Sequence, residues 1–137
     1  MRKVLAALAM ASMLAGCNVF TESPPGSETS TGVYVLQSVN SKPLPYTLSE
    51  SGGSKTELID DTISLFQGGT FARTYHTRTT ANGQVTNATV ARTGTWAIGI
   101  GATITLSANE DGARMIVAIN ARRMTSMDAG ISYLYMK

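Results

Sequence analysis

The chain is poor in the residues that carry most site chemistry. One Cys and one His in 137 residues exclude an intrachain disulfide framework and a Cys/His zinc cage. Charged residues make up only 15% of the chain, with eleven Lys and Arg against nine Asp and Glu. That balance lacks the clustered basic surface a nucleic-acid partner needs. No apolar run is long enough for a membrane-spanning helix. The longest, residues 4–14, is eleven residues broken by Ser12, about half the ~30 Å hydrocarbon core at 1.5 Å per residue. No stretch holds a 3.6-residue period over a useful length, which argues against a helical bundle. What is plentiful is Thr (18), Ser (13) and Gly (13), with just four Pro. This is the composition of a β protein rich in turns.

The first residues have the parts of a secretory signal: Met1-Arg2-Lys3, then the short apolar run, then small residues. Leu14-Ala15-Gly16-Cys17 closely resembles the bacterial lipobox. The resemblance implies that a diacylglycerol is attached to the Cys17 thiol and that the chain is cut just before it. Residues 1–16 are then a lipoprotein signal peptide, and the mature chain carries nine cations and nine anions. Two or three acyl chains exceed the single-chain case, in which anchoring is marginal at ~0.8 kcal/mol per buried CH₂. Asn18 after the Cys, by resemblance to sorting signals, leans toward the outer membrane rather than the inner.

Residues 17–31 are expected to be the lipidated Cys and a flexible tether, because Pro24-Pro25-Gly26 excludes a helix or central strand there. Residues 32–137 form one domain, long enough for a single core. Strands are expected at 33–39, 57–66, 70–80, 85–98, 103–107, 113–120 and 131–136. The second is expected to bend at Asp60-Asp61, and Gly94 to mark a bulge or bend in the fourth. Asn82-Gly83 is a strong two-residue hairpin signal. Residues 42–53 read as a long polar connection, and 122–129 as either a turn of helix or a loop. Seven or eight short strands joined mostly by tight turns predict an all-β fold, a small antiparallel up-and-down barrel. Several pieces together resemble small lipocalin-like β-barrel domains of bacterial lipoproteins. They are residues 32–40 with Pro43-Leu44-Pro45, Gly69-Thr70-Phe71, Gly94-Thr95-Trp96 with Ile104-Thr105-Leu106, and Tyr133-Leu134-Tyr135. The likeness implies a fold, and no functional residue is carried over from it.

Few residues are candidates for chemistry. His76 has no nearby Asp or Glu in sequence and reads as a surface residue. Glu50, Glu57, Asp60 and Asp61 form the densest acidic patch, but adjacent Asp60 and Asp61 on a strand point to opposite sides, and the patch reads as turn. Asn109-Glu110-Asp111-Gly112 also reads as a turn, lacking the rest of a calcium loop. Counting by twos puts Phe71, Arg73 and Tyr75 on one face, and Arg92, Gly94 and Trp96 on one face. If Phe71 and Trp96 point inward, both arginines begin inside the barrel or at its mouth, where a guanidinium must be paired or hold an anion. A bulge at Gly94 would instead return Arg92 to water. Tyr34, Arg73, Tyr75, Arg92 and Trp96 are therefore the candidate ligand-binding residues. Trp96, Ile98, Tyr34, Leu36, Ile63, Leu65, Phe71, Ile104 and Leu106 are the expected core. The expectation is a membrane-anchored, non-enzymatic envelope lipoprotein, held by the lipid on Cys17, whose barrel binds a small apolar or anionic molecule. The alternative is an interaction module that docks on another envelope protein or inhibits a protease through its loops. No catalytic residue, metal or cofactor is expected.

Overall fold

The computed structural model describes residues 27–137. The expected signal, Cys17 and most of the tether lie outside the described residues. The last part of the expected tether is a single helical turn, α1 (Ser27–Ser30). Ten strands follow: β1 (Gly32–Val39), β2 (Lys42–Pro43), β3 (Tyr46–Ser51), β4 (Ser54–Leu65), β5 (Thr70–Ala81), β6 (Gln84–Ile98), β7 (Thr103–Ala108), β8 (Arg114–Asn120), β9 (Arg123–Asp128) and β10 (Ile131–Met136). From β4 to β10 each strand pairs antiparallel with the next, and β1 pairs with both β10 and β4. Eight strands thus close into an up-and-down barrel, and β2 and β3 are extra strands in the β1–β4 connection.

Two-residue alternation explains which side chains fill the barrel. In β1, Tyr34 and Leu36 are buried while Val33 and Val35 are exposed. A bulge between Leu36 and Ser38 then shifts the count, so that Val39 is also buried. In β4, Ile63 and Leu65 point inward, and a bulge between Leu58 and Asp60 realigns the strand above them. Tyr34 stands opposite Ile63 and Leu36 opposite Tyr135, giving the cross-strand pairs that stabilise a sheet.

The barrel has two unlike ends. At one, the turns at 66–69, 99–102 and 121–122 gather with α1 and the start of β1. At the other lie the turns at 109–113 and 129–130 and the β1–β4 connection. The first end is the base and the second is the mouth. Beyond the mouth, β5 and β6 stay paired to the Asn82-Gly83 turn, while β6 pairs with β7 only from Gly94 to Ile98. With β3 and the upper half of β4 they form a four-stranded extension. Asn82 (φ 50°) and Gly83 (φ 76°) are both left-handed, as a type I′ turn requires.

Four expectations are corrected. Residues 42–53 are more than a polar connection: two short strands lie there, β2 paired to β1 and β3 paired to β4, both largely exposed and mostly polar. Residues 123–128 are a strand rather than a helical turn or loop. Its inward Met124 and Ser126 alternate with Thr125 and Met127, a short pattern masked by flanking charges. Gly94 marks no bulge, since the β5–β6 register runs unbroken past it. A Cβ there would come 2.0 Å from the Ser107 carbonyl oxygen and 2.7 Å from the Phe71 ring. Glycine is needed at this position for close approach. Ile98 is 38% exposed; it shares the Trp96 face but sits past the last core layer, at the base. The other residues of the expected core are all buried.

Candidate functional site: the barrel mouth

Three of the five candidate ligand-binding residues meet at the mouth and two do not. Tyr34 and Trp96 fill the base. The Tyr34 hydroxyl donates to the Ser30 carbonyl at 2.8 Å, and the Trp96 indole N–H donates to the Phe66 carbonyl at 3.0 Å. Both are packed core residues with their polar atoms satisfied, which leaves no role for them in the mouth. Arg73, Tyr75 and Arg92 line a cavity of about 520 Å³, within the ~300–1,000 Å³ usual for small-molecule sites. Arg73 and Arg92 are direct partners across β5 and β6, so the unbroken register at Gly94 is what brings them together.

The cavity floor is a buried ionic network. Arg73 grips Asp61 with its fork, Nε to Oδ1 at 3.0 Å and Nη2 to Oδ2 at 2.6 Å. The Tyr135 hydroxyl donates to the same Oδ2 at 2.8 Å. Asp61 is 0% exposed, so every lone pair it uses is taken by the protein. Burial works against the charge on Arg73, but hydrogen bonding and attraction to Asp61 outweigh it and hold the guanidinium above its ordinary value. Burial and the Asp61 charge together push the Tyr135 phenol well up, so it stays a donor. The remaining Arg73 nitrogen, Nη1, reaches only the Met115 sulfur at 3.8 Å, a weak acceptor. The guanidinium also lies over the Tyr75 ring, 5.1 Å from its centroid.

Above the floor, Leu48, Leu58, Leu106 and Met115 make apolar walls, and Tyr133 and Met127 lie toward the rim. Arg92 at the rim pairs with Asp111. Hydrogen bonding to Asp111 raises the Arg92 value, and the same contact lowers that of Asp111. Next to it, Glu110 accepts from the Thr93 backbone N–H at 2.9 Å, which lowers its value too. The expected turn at 109–112 therefore folds over β6 and clamps it. Arg114 and Asp128 complete the charged lining, so charges of both signs stand around the opening.

The chain matches no known protein family, no curated protein and no solved structure.

The key residue that sequence reasoning missed is Asp61. Asp60 and Asp61 do point to opposite sides, but within β4 rather than in a turn. Counting back by twos from the expected core residue Ile63 places Asp61 inside, and that signal was available. Asp60 faces outward, where its carboxylate meets His76 Nδ1 across the ladder. A carboxylate does therefore orient His76, supplied by a strand partner sixteen residues away rather than by a sequence neighbour. That pair is about half exposed and stands on the outer wall, away from the mouth. Glu57 is held between Lys55 (2.7 Å) and Arg78 (2.8 Å) on the extension. Hydrogen bonds from those two cations lower its value. No three His, Cys, Asp or Glu side chains converge as a metal site among the described residues.

Proposed function

We propose that this protein is a lipid-anchored, non-enzymatic lipoprotein of the bacterial cell envelope, with a lipocalin-like barrel. Its mouth binds a small amphipathic molecule with an acidic head. The observation that supports this most is the convergence of Arg73, Tyr75 and Arg92 on one apolar-walled cavity of about 520 Å³. Arg73 keeps N–H groups directed at Met115 rather than at a strong acceptor, and a carboxylate or phosphate would satisfy them. Leu48, Leu58, Leu106 and Met115 would cover the apolar body of the same molecule. The carboxylates of Glu110, Asp111 and Asp128 at the rim disfavour a polyanion and favour a small ligand of single charge. Reaction chemistry has little to work with: the mouth holds no nucleophile beside a base, and Asp61 is fully engaged by Arg73 and Tyr135.

The anchor rests on Leu14-Ala15-Gly16-Cys17. Its outer-membrane placement rests on Asn18. Native mass spectrometry of the protein purified from its own host tests the ligand and the anchor. A bound small acid should be released on denaturation, and an acyl mass should be found on Cys17. An Arg73→Met chain that retains the same small molecule would refute the mouth as its site.

A second reading is favoured by one observation. Toward the Asn82-Gly83 turn from Thr93, β6 has no strand partner on its outer edge among the described residues, so residues 84–92 offer unpaired backbone groups and no Lys or Pro to guard them. An extended segment of another envelope protein could add a strand there. Crosslinking from Thr89 to another envelope protein, with an empty mouth, would support this reading over the first.

A further inference from the structure

We infer that the base of the barrel is a lipid-facing surface, which rests against an acidic phospholipid headgroup layer and turns the mouth away from the membrane. This builds on the lipid-anchored reading and adds the orientation of the domain. Three independent features converge at the base. The first is exposed apolar surface. Ile100, at the tip of the β6–β7 turn, is 96% exposed; Phe66, in the β4–β5 turn, is 50% exposed; Ile98 lies beside them. Val33, Val35 and Met136 continue the apolar surface up the adjoining wall of β1 and β10, where Val35 and Met136 are direct partners. Of the ten large apolar side chains exposed among the described residues, these six lie at or beside the base, against Leu48, Ile116 and Met127 near the mouth and Val85 on the extension; a group of this size marks an interaction surface.

The second feature is charge. Arg122 and Arg123 at the β8–β9 turn and Lys137 after β10 are all exposed at the base. The opposing acidic groups lie elsewhere: Glu50 and Glu57 on the extension, Asp60 and Asp61 on β4, and Glu110, Asp111 and Asp128 at turns of the mouth. Glu28, in the helical turn, is the one acidic residue at the base end among the described residues. The base therefore carries a net positive charge although the mature chain is neutral. Long basic side chains can lay their stems on apolar surface while their heads reach phosphate.

The third feature is the route of the chain. The first described element after Cys17 is α1, which is tied to the base by the Tyr34–Ser30 bond and by Lys137 Nζ to the Thr29 carbonyl, 3.4 Å. A lipid on Cys17 would bring this end, and not the mouth, to the bilayer. An acyl anchor and a basic patch reinforce one another, and each basic residue near an anionic surface contributes about 1 kcal/mol, roughly a fivefold gain in occupancy.

Tryptophan placed at single positions in the full chain tests this on vesicles containing phosphatidylglycerol and brominated phospholipid. Ile100→Trp should give blue-shifted emission that brominated lipid quenches, beyond the wild-type signal of buried Trp96. Met127→Trp, at a mouth position that is 73% exposed, should stay red-shifted and unquenched. Adding Arg122→Ala and Arg123→Ala should reduce the Ile100→Trp quenching, and so should high salt. Equal quenching at both positions, or none at Ile100→Trp on vesicle-bound protein, would overturn the orientation. The mass of the Cys17 peptide separates the two readings. An acylated Cys17 with unquenched Ile100→Trp keeps the anchor and removes the docking surface. An unmodified Cys17 with quenched Ile100→Trp does the reverse.

Discussion

Replacing Asp61 by Ala removes the carboxylate that neutralises Arg73 inside the barrel. The closest contact is 2.6 Å. At a charge separation of ~3 Å and an effective dielectric of ~20, the attraction is about 5 kcal/mol before desolvation is subtracted. One-sided removal of such a buried pair costs about 3–5 kcal/mol, because the other charge stays buried and uncompensated. The Tyr135 hydroxyl also loses its acceptor, a further ~1 kcal/mol. Against a total stability of ~5–15 kcal/mol, Asp61→Ala should leave the chain marginal. Arg73→Met should be comparably harmful, since it strands a carboxylate that is 0% exposed. The triple variant Asp61→Leu, Arg73→Met, Tyr135→Phe removes every member of the network and replaces them with apolar groups of similar size. It should recover to within ~1–2 kcal/mol of the wild type, or exceed it, while losing the acidic ligand. Urea unfolding followed by Trp96 emission measures all three. Single variants costing under ~1 kcal/mol would show that water reaches the network. A triple variant as unstable as the sum of its parts would show that the residues act through packing rather than through charge.

Trp96 is 5% exposed with its N–H bonded to the Phe66 carbonyl; Trp96→Ala should cost ~3–5 kcal/mol, and native Trp96 emission should be blue-shifted and resist acrylamide. Freely quenched emission from folded wild-type protein would place the indole outside the core. Gly83→Val forces a β-branched residue to φ 76° and should lower the unfolding midpoint by ~1 kcal/mol or more, even though nothing crowds the position; an unchanged midpoint would mean that the turn bears no strain. Glu57, Glu110 and Asp111 are all held below their ordinary values of 4.5, 4.5 and 3.8 by hydrogen-bonded partners. Their depressed folded-state values add stability above the unfolded values, and this is lost as pH falls through the folded ones. The unfolding midpoint should therefore drop as pH goes from about 5 toward 3, and the drop should be smaller in Glu57→Gln than in the wild type. A flat acid limb would contradict the ion pairs.

The barrel itself, most boundaries of the seven expected strands, the β5–β6 hairpin and the core were legible in the sequence, because each depends on local physics; β2, β3 and β9 were not. Two-residue alternation decides which side of a strand meets the core, and Asn82-Gly83 admits the left-handed backbone that a tight hairpin needs. Arg73 and Arg92 could be put on the inner face by counting from Phe71 and Trp96, and they are there. Tertiary structure alone decided the rest. Bulges at residues 36–38 and 58–60 restart the alternation where the barrel coils, and ladder geometry, rather than residue type, sets their place. The network on the mouth floor joins residues 61, 73 and 135, which no local pattern relates, and Arg92 finds Asp111 only because the β7–β8 turn folds back over β6. Tyr34 and Trp96 share the inward face with the arginines, yet they plug the base. Alternation fixes the face a side chain takes; its height along the barrel follows from how far each strand slides against its neighbours before the sheet closes.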